Sequence, residues 1–226
     1  MSAPSRLTPV RAVLFDLDGT LIDSAPDLAG AANDMRAARG LPRLSLAHFR
    51  PMVGSGARGM VGQAFQVGPQ DDGFAAMREE FLQRYETRMT QDTRLFPDVA
   101  ALLDALLERG VPWGIVTNKA ERFSVPLVHA LGLRERAAVL VCGDTTAHPK
   151  PHPEPLFEAA RRLRIEPAHC LYVGDDRRDA QAGRAAGMRT VAVTWGYLGL
   201  GDPIDAWGAD HIIDAPSEVL NLLVMA

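Results

Sequence analysis

The sequence predicts an α/β protein: a Rossmann-like parallel sheet core with an inserted all-helical cap domain. Three observations lead there. Short apolar runs, VLF (13–15), WGIV (113–116), AVLVC (138–142) and CLYVG (170–174), alternate with amphipathic stretches. Continuous apolar strands of this kind belong to parallel sheets covered on both faces. From the end of the first run to about residue 93, every segment favours helix and no β-branched apolar run interrupts. Finally, 226 residues with 47% hydrophobic and 23% charged side chains can bury one large core and a smaller insert.

Each element has its own signal. VLFDLD supplies the first strand. APDLAGAANDMRAARG (25–40), SLAHFRPMVG (45–54), GARGMVGQAF (56–65) and FAAMREEFLQRYETRM (74–89) supply the helical insert. Linkers near Ile22-Asp23 and Thr93-Leu95 let it hinge, so the core is expected over 1–22 and 94–226 and the cap over 23–93. Asp98 can cap VAALLDALLERG, closed by Gly110. ERFSVPLVHALGL is helical with a break near Pro126, and PEPLFEAARRLRIEP opens on prolines that a first turn tolerates. RRDAQAGRAAG is a helix with an exposed start at Arg177-Arg178. TVAVTWG and DHIID are strands, and SEVLNLLVMA is a last helix opened by Ser217.

Composition excludes several classes. A net charge of −4 gives no footprint for nucleic acid. No apolar run approaches the roughly 18 residues of a membrane span, and the N-terminus does not read as a secretory signal. Cys142 and Cys170 each sit in an apolar run and read as reduced core thiols, which makes the cytoplasm the expected compartment.

In open α/β sheets the ligand site lies at the carboxyl ends of the strands. Four strand ends carry polar clusters: Asp16-Leu17-Asp18, Thr117-Asn118-Lys119, His148-Pro149-Lys150-Pro151 and Asp175-Asp176. With a period of two, Asp16 and Asp18 project to one side. Gly19 permits a turn that returns the Thr20 hydroxyl to the pair, and Asp175 adds a third carboxylate. Like charges so close call for a divalent cation, and an all-oxygen set suits magnesium. A cation beside Lys150 and the Thr117 hydroxyl is a receptacle for phosphate. One of the two Asp residues of DLD is then free to attack phosphorus, while the other handles the proton of the leaving oxygen.

DLDGT (16–20), TNK (117–119), Lys150 in HPKPHPEP and GDDRRD (174–179) resemble, in order, the four motifs of the haloacid-dehalogenase-like phosphatases. The resemblance spans essentially the whole chain, including the helical cap after the first motif. It implies that Asp16 is the nucleophile forming an aspartyl-phosphate and Asp18 the general acid, then base. It places magnesium on the Asp16 carboxylate, the Asp18 carbonyl and Asp175. Thr117 and Asn118 would hold the phosphoryl group, and Lys150 would anchor it together with Asp16. Asp179 would orient Lys150 or metal-bound water. At Asp176 relatives often carry serine, so a contact with the metal shell and plain solvation both stay open.

Cap size and tail resemble phosphoglycolate phosphatases. REEFLQRY, WGIVTNKAERF, AVLVC and VTWGY–WGAD resemble the sister group of N-acetylmuramic acid 6-phosphate phosphatases more closely still. The expected activity is a magnesium-dependent phosphomonoesterase on a small carboxylated metabolite, 2-phosphoglycolate first and N-acetylmuramic acid 6-phosphate as the alternative. A sugar-phosphate mutase and a non-catalytic phosphate-carrying module are the remaining readings. The expected partner is a small phosphorylated metabolite, with a monomer or homodimer and neither nucleic acid nor membrane. In the cap, Ser55, Gly56 and Arg58 of GSGARG are expected to close over the substrate, Arg58 on its carboxylate; a simple helix–helix turn is the alternative. The six histidines show no ligand spacing, and His148 and His152 read as loop residues.

Overall fold

The computed structural model describes residues 9–223. The chain opens with β1 (Ala12–Phe15), then β2 (Ile22–Asp23), α1 (Ala25–Ala38), α2 (Leu46–Phe49), α3 (Gly56–Phe65), α4 (Phe74–Glu86) and β3 (Arg94–Leu95). It returns through α5 (Val99–Glu108), β4 (Trp113–Val116), α6 (Glu121–Ala130), β5 (Val139–Val141), α7 (Glu154–Leu163) and β6 (Cys170–Gly174). α8 (Arg177–Ala185), β7 (Arg189–Val193) and β8 (His211–Ile213) complete it. The six-stranded sheet runs β5-β4-β1-β6-β7-β8 with every pairing parallel. The strand order reverses beside β1, and that reversal opens a crevice at the carboxyl end of β1.

β1 has partners on both edges and helices over both faces, so all four of its residues are buried. Its alternation feeds two cores: Val13 and Phe15 face one cluster, Ala12 and Leu14 the other. On the first face Phe15 meets Trp113 edge-on at 6.5 Å between ring centroids. A packed aromatic pair of this geometry is stiff, and it fixes where β1 delivers the residues that follow.

The helical segment leaves and re-enters the sheet unit at one place. β2 and β3 pair antiparallel, with Ile22 opposite Leu95 and Asp23 opposite Arg94. Asp27 in the first turn of α1 is fully buried and accepts from the N–H of Asp92 at 3.0 Å, the N–H of Thr93 at 2.9 Å and the Thr93 hydroxyl at 2.8 Å. Both linkers are thereby stitched together.

Three local expectations change. α6 runs through Pro126 without a break. Asp98 takes a left-handed conformation with φ 63° and makes no side-chain cap. The C-terminal segment is a 3-10 helix over Pro216–Leu222, not a helix opened by Ser217, and residues 224–226 of that expected helix lie outside the described ones. GSGARG is a helix–helix junction, one of its two expected readings: Ser55 closes a 3-10 helix over Arg50–Ser55, and Gly56 begins α3. Among the described residues no helix is long and apolar enough to cross a membrane.

Leu14→Ala removes a fully buried side chain beneath the site and is expected to cost about 2–5 kcal/mol in denaturant unfolding. Leu107→Ala, at 44% exposure, is expected to stay within about 0.5 kcal/mol. Equal losses would contradict this placement of the core.

Candidate active site

The site is built around a buried ammonium. Lys150 Nζ lies 2.8 Å from Asp16 Oδ1, 2.7 Å from Asp179 Oδ1, 2.9 Å from the Val116 carbonyl and 2.7 Å from the Tyr172 hydroxyl. Three protons meet four oxygens, and Tyr172 resolves the mismatch by donating to Val116 O or Asp179 Oδ1, both at 3.0 Å. Burial works against the charge on Lys150, yet Asp16 and Asp179 hold its pKa above the ordinary lysine value. The loop that carries Lys150 is fixed by Asn118: its Nδ2 donates to Lys150 O and its Oδ1 accepts from Lys150 N, each at 2.9 Å. The Asn118 side chain is therefore committed to the lysine loop, which leaves its main chain to face a ligand.

Asp16, Asp175 and Asp179 bring carboxylate oxygens within 4.8 Å of one another. Burial, partly opposed by Lys150, raises Asp16 to about 6, and burial with the Asp16 charge lifts Asp175 well above the usual carboxylate range. Crowded, desolvated carboxylates with all-oxygen chemistry fit a hard divalent cation. Asp175 is oriented by Thr20 Oγ1 at 3.1 Å and by the N–H of Tyr197 at 2.8 Å. Thr20 thus reaches Asp175 and not the Asp16–Asp18 pair. Gly19 makes this possible: its φ is 91°, and a Cβ there would meet Asp175 Oδ2 at 2.0 Å.

Asp18 does not share the point where the other carboxylates meet. Its oxygens take Lys119 Nζ at 2.9 and 3.0 Å, and its Oδ1 also accepts from the Ser24 hydroxyl. Lys119 in turn lies 4.8 Å from the ring centroid of Tyr85 on α4, a cation–π contact from the helical segment to the sheet unit. Thr117 is buried and its Oγ1 accepts from the N–H of Lys119 at 3.1 Å. Asp176 caps α8 by accepting from the N–H of Arg178 at 2.9 Å, and Asp179 closes the capping box by accepting from the N–H of Asp176 at 3.1 Å. Burial disfavours the Asp176 carboxylate, but the hydrogen bonds and charge of Arg178 hold it below its ordinary value. Arg177 is exposed as expected and pairs with Asp202, whereas Arg178 is half-buried and engaged.

A cavity of about 420 Å³ opens from Asp16, Asp18 and Lys150 to the helical segment. Ser55, Gly56 and Arg58 line it, together with Phe81, Leu82 and Tyr85 of α4. Arg78 and Arg122 line it as well. Lys119, Tyr85, Ser24, Tyr172 and Tyr197 had no predicted role. Lys119 was readable as the third residue of TNK; the tyrosines gain meaning only from chain segments brought together by folding. The rings of His148 and His152 lie tilted at 4.7 Å between centroids and, with Glu154, place ligand-type atoms within 4.8 Å, a grouping that their sequence spacing conceals. All three lie outside the cavity lining.

Residues 13–193 match the model of the haloacid dehalogenase-like hydrolase family. The chain is 45% identical over 214 residues to the N-acetylmuramic acid 6-phosphate phosphatase of Pseudomonas putida, covering 95% of this chain and 96% of that one. It is 48% identical over 214 residues to a phosphoglycolate phosphatase of Xanthomonas campestris, covering 92% and 94%. A crystal structure described as a predicted phosphoglycolate phosphatase from Haemophilus somnus superposes with a TM-score of 0.83 at 29% identity, over 96% of this chain and 99% of that one. Strand-end carboxylates, a buried lysine and these likenesses together make the chain a member of the haloacid dehalogenase-like hydrolases and a phosphoric monoester hydrolase.

Proposed function

We propose that the protein cleaves the phosphate ester of a carboxylated amino sugar, N-acetylmuramic acid 6-phosphate, through an aspartyl-phosphate on Asp16. The cavity carries this reading. A two-carbon acid leaves most of about 420 Å³ unfilled, whereas a hexosamine with acetyl and lactyl groups occupies it and meets the apolar wall of Phe81 and Leu82. Arg58, Arg78 and Arg122 offer guanidinium groups to a carboxylate remote from phosphorus. 2-Phosphoglycolate is the second reading, supported by the name of the Xanthomonas relative.

The roles follow from the geometry. Lys150 holds Asp16 Oδ1, which leaves Oδ2 to attack phosphorus. Asp18 gives a proton to the departing ester oxygen as that bond breaks. It then takes one from a water, which attacks phosphorus and frees Asp16 and inorganic phosphate. The Thr117 hydroxyl and the main-chain N–H of Asn118 receive the peripheral phosphoryl oxygens, with the Lys150 charge beside them. Magnesium would sit on the Asp16 and Asp175 carboxylates and the Asp18 carbonyl, where it supplies positive charge to the phosphoryl group. Asp179 positions Lys150, and Asp176 acts through α8 and Arg178, not through the metal.

The helical unit over 23–93 serves as the cap, hinged where β2 and β3 pair, on a core over 1–22 and 94–226. We place the enzyme in the cytoplasm as a monomer or homodimer, in keeping with its two free buried cysteines.

Asp16→Asn is expected to abolish turnover, and EDTA to do the same. Asp18→Asn is expected to lose about 10²–10⁴-fold in kcat, more on alkyl than on aryl phosphates because only the former need a proton on the leaving oxygen. Persistent turnover by Asp16→Asn would overturn the nucleophile.

Asp16, raised from 3.8 to about 6, binds more protons folded than unfolded across that window. Metal-free stability therefore falls as pH rises through it. Magnesium competes with those protons, so it should raise Tm at about pH 7.5 and do little near pH 5. Asp175→Asn should erase the difference; an equal shift at both pH values would place the cation elsewhere.

A kcat/KM panel of N-acetylmuramic acid 6-phosphate, N-acetylglucosamine 6-phosphate and 2-phosphoglycolate decides the substrate. The lactyl-bearing sugar should lead, and Arg58→Ala should cost it about tenfold or more while sparing the sugar without a carboxylate. A lead for 2-phosphoglycolate would establish the second reading.

A further inference from the structure

Arg178 joins the sheet unit to the helical segment. Its Nε and Nη2 donate to the two oxygens of Asp176, each at 2.8 Å, and Nη2 also donates to the carbonyl of Gly54 at 2.5 Å. Gly54 lies in the last turn of the Arg50–Ser55 3-10 helix, where carbonyls run out of partners within the turn. The guanidinium acts as an external cap. Space is tight around it: a Cβ on Gly54 would lie 3.2 Å from Asp176 Oδ2 and 3.7 Å from Arg178 Nη2.

The contact is continuous with the catalytic edge. Asp176 is held by Asp179 through its N–H at 3.1 Å, and Asp179 Oδ1 lies 2.7 Å from Lys150 Nζ. One short path thus links the ammonium beside Asp16 to a cap carbonyl. The side chains of Arg178 and Asp176 are 39% and 26% exposed, so as an ion pair alone they would contribute little. What distinguishes the pair is geometry. A planar fork can grip a carboxylate and still aim a proton at a third oxygen, which an ammonium on a flexible stem does less well.

We propose that Asp176 and Arg178 form a strut holding the cap segment Val53–Arg58 over the site, and that Arg178 is a positioning residue for the cap's share of substrate recognition. The kinetic consequence rests on the reading of the substrate given above; the structural one does not. Gly54 immediately precedes Ser55 and Gly56, and Arg58 stands in the first turn of α3, all lining the cavity. Releasing Gly54 lets these residues drift from the substrate while Asp16 and Lys150 stay in place.

Hydrogen exchange and kinetics test this together on the full chain. Arg178→Met keeps the stem and loses the fork; Asp176→Asn keeps a good helix cap and weakens the grip on Arg178; Gly54→Val crowds the strut from the cap side. In each, amides of residues 54–58 should exchange about tenfold faster or more, with β1 and α8 unchanged. kcat/KM on N-acetylmuramic acid 6-phosphate should fall at least tenfold more than on p-nitrophenyl phosphate, chiefly through KM, and Arg178→Lys should recover part of the loss. Unchanged protection of 54–58 in folded Arg178→Met overturns the strut. So does an equal fall on both substrates, which would put Arg178 on the phosphoryl group itself. If the amino-sugar phosphate is not turned over at all, the substrate reading fails and the exchange rates still decide the strut.

Discussion

A lysine ammonium taken out of water is tolerable only where oxygens replace its hydration shell, and Lys150 imposes that requirement on everything near it. Its four oxygen neighbours come from β1's end, β4, β6 and α8. No single segment could supply them, so the parallel sheet must form in this strand order before the charge can be housed. The same neighbours explain why Asp16 can be buried at all: its Oδ1 is matched by an ammonium that cannot move away. Asn118 closes the arrangement by gripping the lysine's own peptide group from both sides.

α8 shows how one local device serves two purposes. A helix beginning Asp176-Arg177-Arg178-Asp179 needs acceptors for its free N–H groups, and a capping box provides them. The Asp179 carboxylate that completes the box has a second oxygen, and that oxygen meets Lys150. Asp176 likewise spends only part of its carboxylate on the cap and gives the rest to Arg178. Helix initiation, lysine housing and contact with the helical segment therefore draw on the same two carboxylates.

The parts of the fold that were legible in the sequence are those where local pattern and global role agree. β1, β4, β5 and β6 read as apolar runs because strands buried on both faces admit little else. Asp16, Asp175 and Lys150 were readable because polar residues at the ends of such runs have few structural reasons to be there. The misreadings share a cause: helical pattern over SEVLNLL and a break at Pro126 are local preferences that packing overrode. Thr20 was sent to the wrong carboxylate because Asp175 lies 155 residues away and only the β1–β6 pairing brings it near. Lys119 and Tyr85 had no visible connection for the same reason. Arg178 looked like solvent-exposed charge because its acceptor in the helical segment is a backbone carbonyl, which no sequence pattern advertises.

The charges at the strand ends also account for the division of labour between the two units. Asp18 is matched by Lys119 and Asp176 by Arg178. When all three are ionised, Asp16, Asp175 and Asp179 face one ammonium, which leaves an excess of two negative charges. A phosphate dianion approaching that edge would be repelled, and one divalent cation cancels the excess. With the edge neutral, charge to attract a substrate would come from elsewhere, and arginines line the cavity, two of them on helices of the inserted segment. On the proposed reading, the core serves the phosphoryl group whatever carries it, and selection by the rest of the molecule falls to the cavity residues of the helical segment.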